Sequence, residues 1–135
     1  MIQDPTVLKA KRLEVYACKQ STTLREACCQ IAEEDISCLV VTDDAGFLTG
    51  ILTRADLLRA RLTHENWLED PVAAYMNADV ITVAPETTLS NVARLLLDHH
   101  IHRVVITRAE NGHQLPLGVI SDSDLIYHMA SQINP

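Results

Sequence analysis

The sequence predicts an α/β fold, with strands and helices intermixed in the α+β sense, built from one unit written twice. Three observations carry this. The second half of the chain repeats the residue order of the first. Each half alternates short β-branched or apolar runs with stretches of helical period. The length difference between the halves falls on a turn, where an insertion is tolerated best.

The repeat is read by superposition. An offset of 65 lays residues 15–42 on 80–107, with Thr22-Thr23-Leu24 on Thr87-Thr88-Leu89. Ile36 then falls on Ile101, Val40 on Val105 and Thr42 on Thr107. Beyond the turn the offset becomes 68, because the second copy carries three more residues around 111–116. Gly50-Ile51-Leu52-Thr53-Arg54-Ala55-Asp56-Leu57 lies on Gly118-Val119-Ile120-Ser121-Asp122-Ser123-Asp124-Leu125. Upstream, Asp4-Pro5 matches Asp70-Pro71.

The elements follow in order. Residues 5–11 and 71–76 each open behind Asp-Pro, and proline suits the first turn of a helix. Residues 15–18 and 80–83 are short strands. Thr23 and Thr88 are N-caps for helices over 24–34 and 89–100. In the second of these, Leu89, Val92, Ala93, Leu96 and Leu97 form one apolar stripe. Residues 37–42 and 102–107 are strands whose near-continuous apolar centres expect cover on both faces. Residues 47–52 and 117–120 return as hairpin strands across Asp44-Ala45-Gly46 and Asn111-Gly112. Helices over 54–62 and 122–130 close each copy.

The order is therefore β-α-β-β-α, twice. Residues 4–63 form the first repeat, 64–69 a linker and 70–130 the second, all within one module spanning 1–135. A unit of about 60 residues buries little alone. The copies are expected to pack sheet to sheet about a pseudo-twofold axis, with two related clefts between them.

Composition narrows the function. Aromatic residues are only 4% of 135, so Leu, Ile, Val and Ala must build the core. Eleven basic residues against eighteen acidic give a net charge of −7, which argues against nucleic acid and anionic membrane surfaces. Split by copy, residues 1–69 carry 8 basic and 11 acidic side chains and residues 70–135 carry 3 and 7, so any anion must be bound locally. No apolar run approaches the roughly 18 residues of a membrane span, and the first residues hold no apolar leader. A cytoplasmic location is expected. Cys18, Cys28, Cys29 and Cys38 show no C-x-x-C spacing, and reduced buried thiols are expected.

Catalytic and metal chemistry is thin. Asp98, His99, His100 and His102 lack the helical spacing of a His-Glu-x-x-His zinc site. Asp122-x-Asp124 lacks the glycine and distant glutamate of a calcium loop. No Gly-x-Ser-x-Gly nucleophile turn is present. Neither an enzyme nor a metal site is expected, and Trp67 reads as a packing anchor.

The doubled motif Gly-apolar-apolar-Thr/Ser-x-x-Asp-apolar, the strand-to-helix lead Val80–Leu89, and Ile101-His102-Arg103-Val104-Val105 together resemble the cystathionine β-synthase (CBS) domain pair, or Bateman module. The resemblance spans about residues 4–130. It implies a regulatory module that binds an adenosine-containing ligand (AMP, ADP, ATP, S-adenosylmethionine or an NAD-type compound) in the clefts between the repeats. Such a module signals by a change of conformation or assembly to a regulated protein, and commonly dimerises as a disk of four repeats. No cofactor is implied beyond the adenine nucleotide as regulatory ligand. Carried over, Asp56 and Asp124 would bind ribose, and Thr53, Ser121, His102 and Arg103 phosphate. Tyr16, Ala17, Ile81 and Thr82 are adenine candidates by strand position. The match departs from the family at the missing proline before the central valines of both copies, and at Gln20, where the second copy has Pro85.

The chemistry suits these roles, and each residue also has a plainer one. A ribose diol presents two donors side by side, and a carboxylate accepts both. A hydroxyl at a helix N-terminus joins unpaired backbone N–H groups that favour anions. Yet Thr/Ser-x-x-Asp before a helix is also a capping box. Arg103, read as mid-strand, offers a planar fork for phosphate, or reaches solvent at a sheet edge. His102 is equally an ordinary polar strand residue. The first copy has Ser37 and Cys38 there, so the two clefts are expected to be unequal. The alternative function is a structural or protein-interaction module with no nucleotide bound.

Overall fold

The structure is a computed structural model that describes residues 3–11 and 13–134. In chain order the elements are α1 (Val7–Ala10), β1 (Ala17–Lys19), α2 (Leu24–Glu34), β2 (Cys38–Thr42), β3 (Leu48–Thr53), α3 (Arg54–Arg61), β4 (Thr82–Val83), α4 (Leu89–Asp98), β5 (Arg103–Glu110), β6 (His113–Ser121) and α5 (Asp122–Ile133). Two single 3₁₀ turns, Trp67–Glu69 and Val72–Ala74, lie between α3 and β4. The β-α-β-β-α order occurs twice, with two three-stranded sheets.

One unit comprises Tyr16–Val80 with His113–Leu115. Its sheet has the order β1-β2-β3, with β1 parallel and β3 antiparallel to β2. All five residues of β2 are buried, which explains its unbroken apolar run. Leu24, Ala27 and Ile31 from α2 meet Leu39, Val41 and Leu52 from the sheet and Leu57 and Ala60 from α3. Trp67 packs against this core, as its sequence context suggested.

The other unit holds α1, β4, α4, β5, most of β6 and α5. Its sheet has the order β4-β5-β6, with β4 parallel to β5. Val83, Leu89, Val92, Leu96, Val104, Ile106, Ile120 and Leu125 form its core, together with Val7.

The compact units are not the sequence repeats 4–63 and 70–130; their leading segments are exchanged. Val7 N–H donates to the Thr87 carbonyl at 2.8 Å, and Leu89 N–H donates to the Pro5 carbonyl at 3.0 Å. In the first unit Val72 is fully buried, and Leu24 N–H donates to the Asp70 carbonyl at 2.9 Å. A lead of one turn cannot hold a helix by itself, so tertiary partners must supply both the hydrogen bonds and the burial. Neither proline takes the first helical position expected of it. Thr6 caps α1, and Pro71 itself flanks the 3₁₀ turn.

Boundaries moved for local reasons. β1 and β4 start two residues later than expected, because only Ala17–Lys19 and Thr82–Val83 pair with the neighbouring strand. The three extra residues of the second copy lengthen its hairpin rather than its tip. β5 and β6 run 8 and 9 residues, against 5 and 6 in β2 and β3. The tip is Asn111-Gly112 with φ of 50° and 81°, both left-handed as a two-residue type I′ turn requires. α4 ends at Asp98, and Leu97 is exposed, so the apolar stripe narrows to Leu89, Val92, Ala93 and Leu96. No disulfide joins the four cysteines among the described residues. Cys18 and Cys38 are buried, and burial pushes the Cys18 thiol up to about 11. Cys29, expected inside, is exposed on α2.

The motif glycines differ in their surroundings. A Cβ at Gly50 would stand 2.7 Å from Met76 Sδ and 3.0 Å from the Asn77 carbonyl oxygen. That carbonyl accepts the Ile51 N–H at 2.9 Å and cannot easily retreat. A Cβ at Gly118 meets nothing nearer than 3.4 Å. Gly50→Ala is therefore expected to destabilise by about 1–3 kcal/mol. Gly118→Ala should stay within about 1 kcal/mol of wild type. Urea unfolding of the two variants checks the difference; equal losses would contradict it.

Candidate functional site

The two motif carboxylates sit at strand-to-helix corners. β3 ends at Thr53 and α3 begins at the next residue, so Thr53 is the N-cap. Asp56 Oδ2 accepts the Thr53 N–H at 2.8 Å and its hydroxyl at 3.1 Å, and the Thr53 hydroxyl oxygen accepts the Asp56 N–H at 3.4 Å, which completes a capping box. Its other oxygen, Oδ1, accepts from the Arg59 guanidinium one helical turn on. The Asp56 side chain is 8% exposed. Both of its oxygens are engaged.

The second corner repeats the box and departs beyond it. Ser121 caps α5, and Asp124 Oδ2 accepts the Ser121 N–H at 2.8 Å and hydroxyl at 3.1 Å. The position matching Arg59 is Tyr127, which brings no cation. Instead Lys11, just past α1, places its ammonium 2.7 Å from the same Oδ2 and also donates to the Val119 carbonyl. Oδ1 of Asp124 accepts no hydrogen bond among the described residues, and the side chain is 37% exposed. It lines a recess of about 290 Å³ together with Lys11, Leu89, Ile120, Tyr127 and His128. The buried Nε2 of His128 has no hydrogen-bond partner among the described residues.

Arg59 and Lys11 are the residues that sequence reasoning missed. Arg59 was legible, since an Asp and an Arg three apart on a helix face each other. Lys11 lies 113 residues from its partner, and no local pattern signals it.

The remaining candidates are spread more widely. Arg103 opens β5 rather than sitting within the strand, and its Nε is buried without a hydrogen-bond partner among the described residues. His102 precedes the strand and is 77% exposed; its Nδ1 lies 3.0 Å from Asp122 Oδ2. That hydrogen bond, the Ser123 N–H and the nearby Arg103 charge hold the Asp122 carboxyl below the usual carboxylate range. Tyr16 is half-buried against the first core and Ile81 against the second. Ala17 pairs opposite Val40 and Thr82 opposite Val105.

A family model described as the CBS domain matches residues 10–63 and 72–131. The chain belongs to the CBS-domain family. Solved CBS structures share the fold over nearly the full length. CBSX2, solved in complex with AMP, is 25% identical, with a TM-score of 0.80, covering 97% of this chain and 99% of that one. A protein from Pyrococcus horikoshii is 28% identical, with a TM-score of 0.78, covering 98% and 96%. The CBS domain pair of MJ0100, solved with 5′-methylthioadenosine and S-adenosylmethionine, superposes with a TM-score of 0.84 at 18% identity, covering 96% and 99%. Among curated relatives, a 17.7 kDa protein of Acidianus ambivalens is 29% identical over 83% of this chain. This CBS pair spans 65% of that relative and 33% of a Methanocaldococcus jannaschii protein to which it is 22% identical.

The Asp122–His102 contact has a pH signature. A carboxyl held below its ordinary value of 3.8 contributes stability that is whole above that value and is lost as pH falls through the lowered one. Wild type should therefore melt above Asp122→Asn near neutrality, and the gap should close as the pH falls below 3.8 and through the lowered value. Melting curves of both proteins across the acid range check it. A gap independent of pH would count against the contact.

Proposed function

We propose that this CBS pair is a regulatory module that senses an adenosine-containing ligand, with the ribose bound at Asp124. One observation carries the choice of carboxylate. Asp124 keeps an oxygen open to a recess of about 290 Å³, whereas Asp56 is closed by Thr53 and Arg59. The AMP complex of CBSX2, which aligns over nearly the whole chain, supports the ligand class. Arg103 supplies a guanidinium for phosphate, and its unpartnered Nε fits that role. Ser121 and His102 join it once they turn from Asp124 and Asp122. Thr53 and Asp56 form a second, weaker site. Ile81 and Thr82, with Tyr16 and Ala17 in the other repeat, remain the adenine candidates. Ligand-free and ligand-bound forms differ in conformation or assembly, because a ligand shifts only states it binds unequally.

A second reading, protein interaction without nucleotide, draws on exposed apolar side chains. Ile126, Met129 and Ile133 lie three and four apart on α5, and Leu58 on α3 and Leu62 at its C-cap are exposed. We assign these faces to a homodimer that acts on a further, regulated protein, in a cytoplasmic setting. No helix among the described residues is long and apolar enough to cross a membrane.

Titration calorimetry with AMP, ADP, ATP, S-adenosylmethionine and NADH tests the sensor. At least one is expected to bind, and at 100 times Kd to stabilise the fold by about 2.7 kcal/mol. Asp124→Asn keeps a cap acceptor but should weaken binding by about tenfold or more, the weight of one charge-assisted hydrogen bond. Asp56→Asn should leave the tighter site within about twofold of wild type, since Asp56 serves only the second, weaker site. If no compound binds, the sensor reading is lost and the interaction reading stands. Sedimentation of Ile126→Glu is expected to show a monomer where wild type sediments as a dimer.

A further inference from the structure

We infer that Lys11 sets the ligand specificity of the Asp124 site, favouring anionic adenosine ligands over neutral ones. This rests on the ribose role proposed above. Asp124 Oδ2 already accepts three donors: the Ser121 N–H at 2.8 Å, the Ser121 hydroxyl at 3.1 Å and the Lys11 ammonium at 2.7 Å. A ribose diol seated on both carboxylate oxygens has to take the place of one of them. The Ser121 N–H bond belongs to the helix cap, which α5 needs with or without ligand, and the Ser121 hydroxyl turns away only toward a phosphate, which a neutral nucleoside does not bring. The ammonium is the replaceable donor. It rides on a flexible four-carbon stem, and both members of the pair are partly solvated, with Lys11 29% exposed.

The base of that stem does not move with it. α1 is tied by backbone hydrogen bonds from Val7 to Thr87 and from Leu8 to Pro85, at 2.8 and 3.0 Å, and Val7 is fully buried. The displaced ammonium thus stays at the mouth of the recess. Of the recess-lining residues, Lys11 and Asp124 are the charged ones, with His128 the third titratable side chain beside Tyr127. A neutral nucleoside would take the carboxylate and leave the ammonium without a counter-charge. A nucleotide brings its own phosphate to replace the one lost. The same lysine therefore opposes adenosine and accommodates AMP. The first repeat offers no such arrangement, because Arg59 binds Asp56 from within the same helix.

Calorimetry with adenosine and AMP on wild type, Lys11→Met and Lys11→Arg tests this. The ratio of the adenosine Kd to the AMP Kd is expected to fall by about tenfold in Lys11→Met, with adenosine binding tighter and AMP weaker. Lys11→Arg should keep most of the ratio. In wild type, raising ionic strength from about 0.05 to 0.5 M should tighten adenosine and weaken AMP, since screening acts on both charge pairs. This second readout needs no variant to fold. An unchanged ratio in Lys11→Met with wild-type AMP binding intact, or equal weakening of both ligands, overturns the inference and leaves the ribose site standing. Salt-independent affinities for both ligands overturn it as well. If wild type binds neither ligand, the ribose reading falls and takes the inference with it.

Discussion

Each half of the protein turns on one hydrogen bond, from the backbone N–H of the residue that ends a strand to the carboxylate three residues into the following helix. It measures 2.8 Å at both Thr53–Asp56 and Ser121–Asp124. No loop separates strand from helix at either corner. The corner must therefore be made by the cap itself, which satisfies N–H groups that the first helical turn leaves unpaired. The direction of α3 and α5 over their sheets, and so the burial of Leu57, Ala60 and Leu125, follows from this turn. A cap of this kind is worth about 1 kcal/mol in stability, but it also dictates which carboxylate oxygen is left for other work.

From that shared corner the halves diverge through charge. A carboxylate in a half-buried place needs compensation, and each motif Asp has found a cation. Arg59 reaches Asp56 along its own helix and occupies the oxygen that the cap leaves open. Tyr127 at the matching position cannot, and the ammonium of Lys11 lands instead on the oxygen that the cap already uses. One carboxylate is closed and the other keeps a face toward a recess. Near-identical motifs thus give unequal sites. The inequality expected from Arg103, which the first copy lacks, is joined by a second and independent cause.

The fold was readable in the sequence to the extent that its determinants are local. Helix α2 was placed at both ends because Thr23 caps it and the apolar spacing ends where Asp35 turns left-handed. The buried strands β2 and β5 announced themselves as unbroken apolar runs. The short parallel strands begin two residues later than their apolar runs, because pairing rather than side-chain type decides where a strand starts. The repeat offset places the three added residues of the second copy at the hairpin, but they do not enlarge its tip. Strand pairing absorbed them instead, because Asn111-Gly112 already makes a complete turn. At the site, the capping chemistry of Thr53, Asp56, Ser121 and Asp124 was legible, and the cations on the two carboxylates went unread.

The sequence by itself determined the repeat, the order of elements, the family and the two cap-bearing carboxylates. All of these depend on residues within a few positions of each other, where helix and strand periods and capping rules act. Only the tertiary structure decided that the leading segments change places, with Val7 buried beside Leu89 and Val72 beside Leu24. Only it showed that Asp124 is held from 113 residues away by Lys11. A lone valine or lysine in a one-turn lead carries no periodicity and no motif. Its partner is chosen by which core has room for the side chain and which carbonyls lack a donor, and those conditions exist only once the sheets have formed.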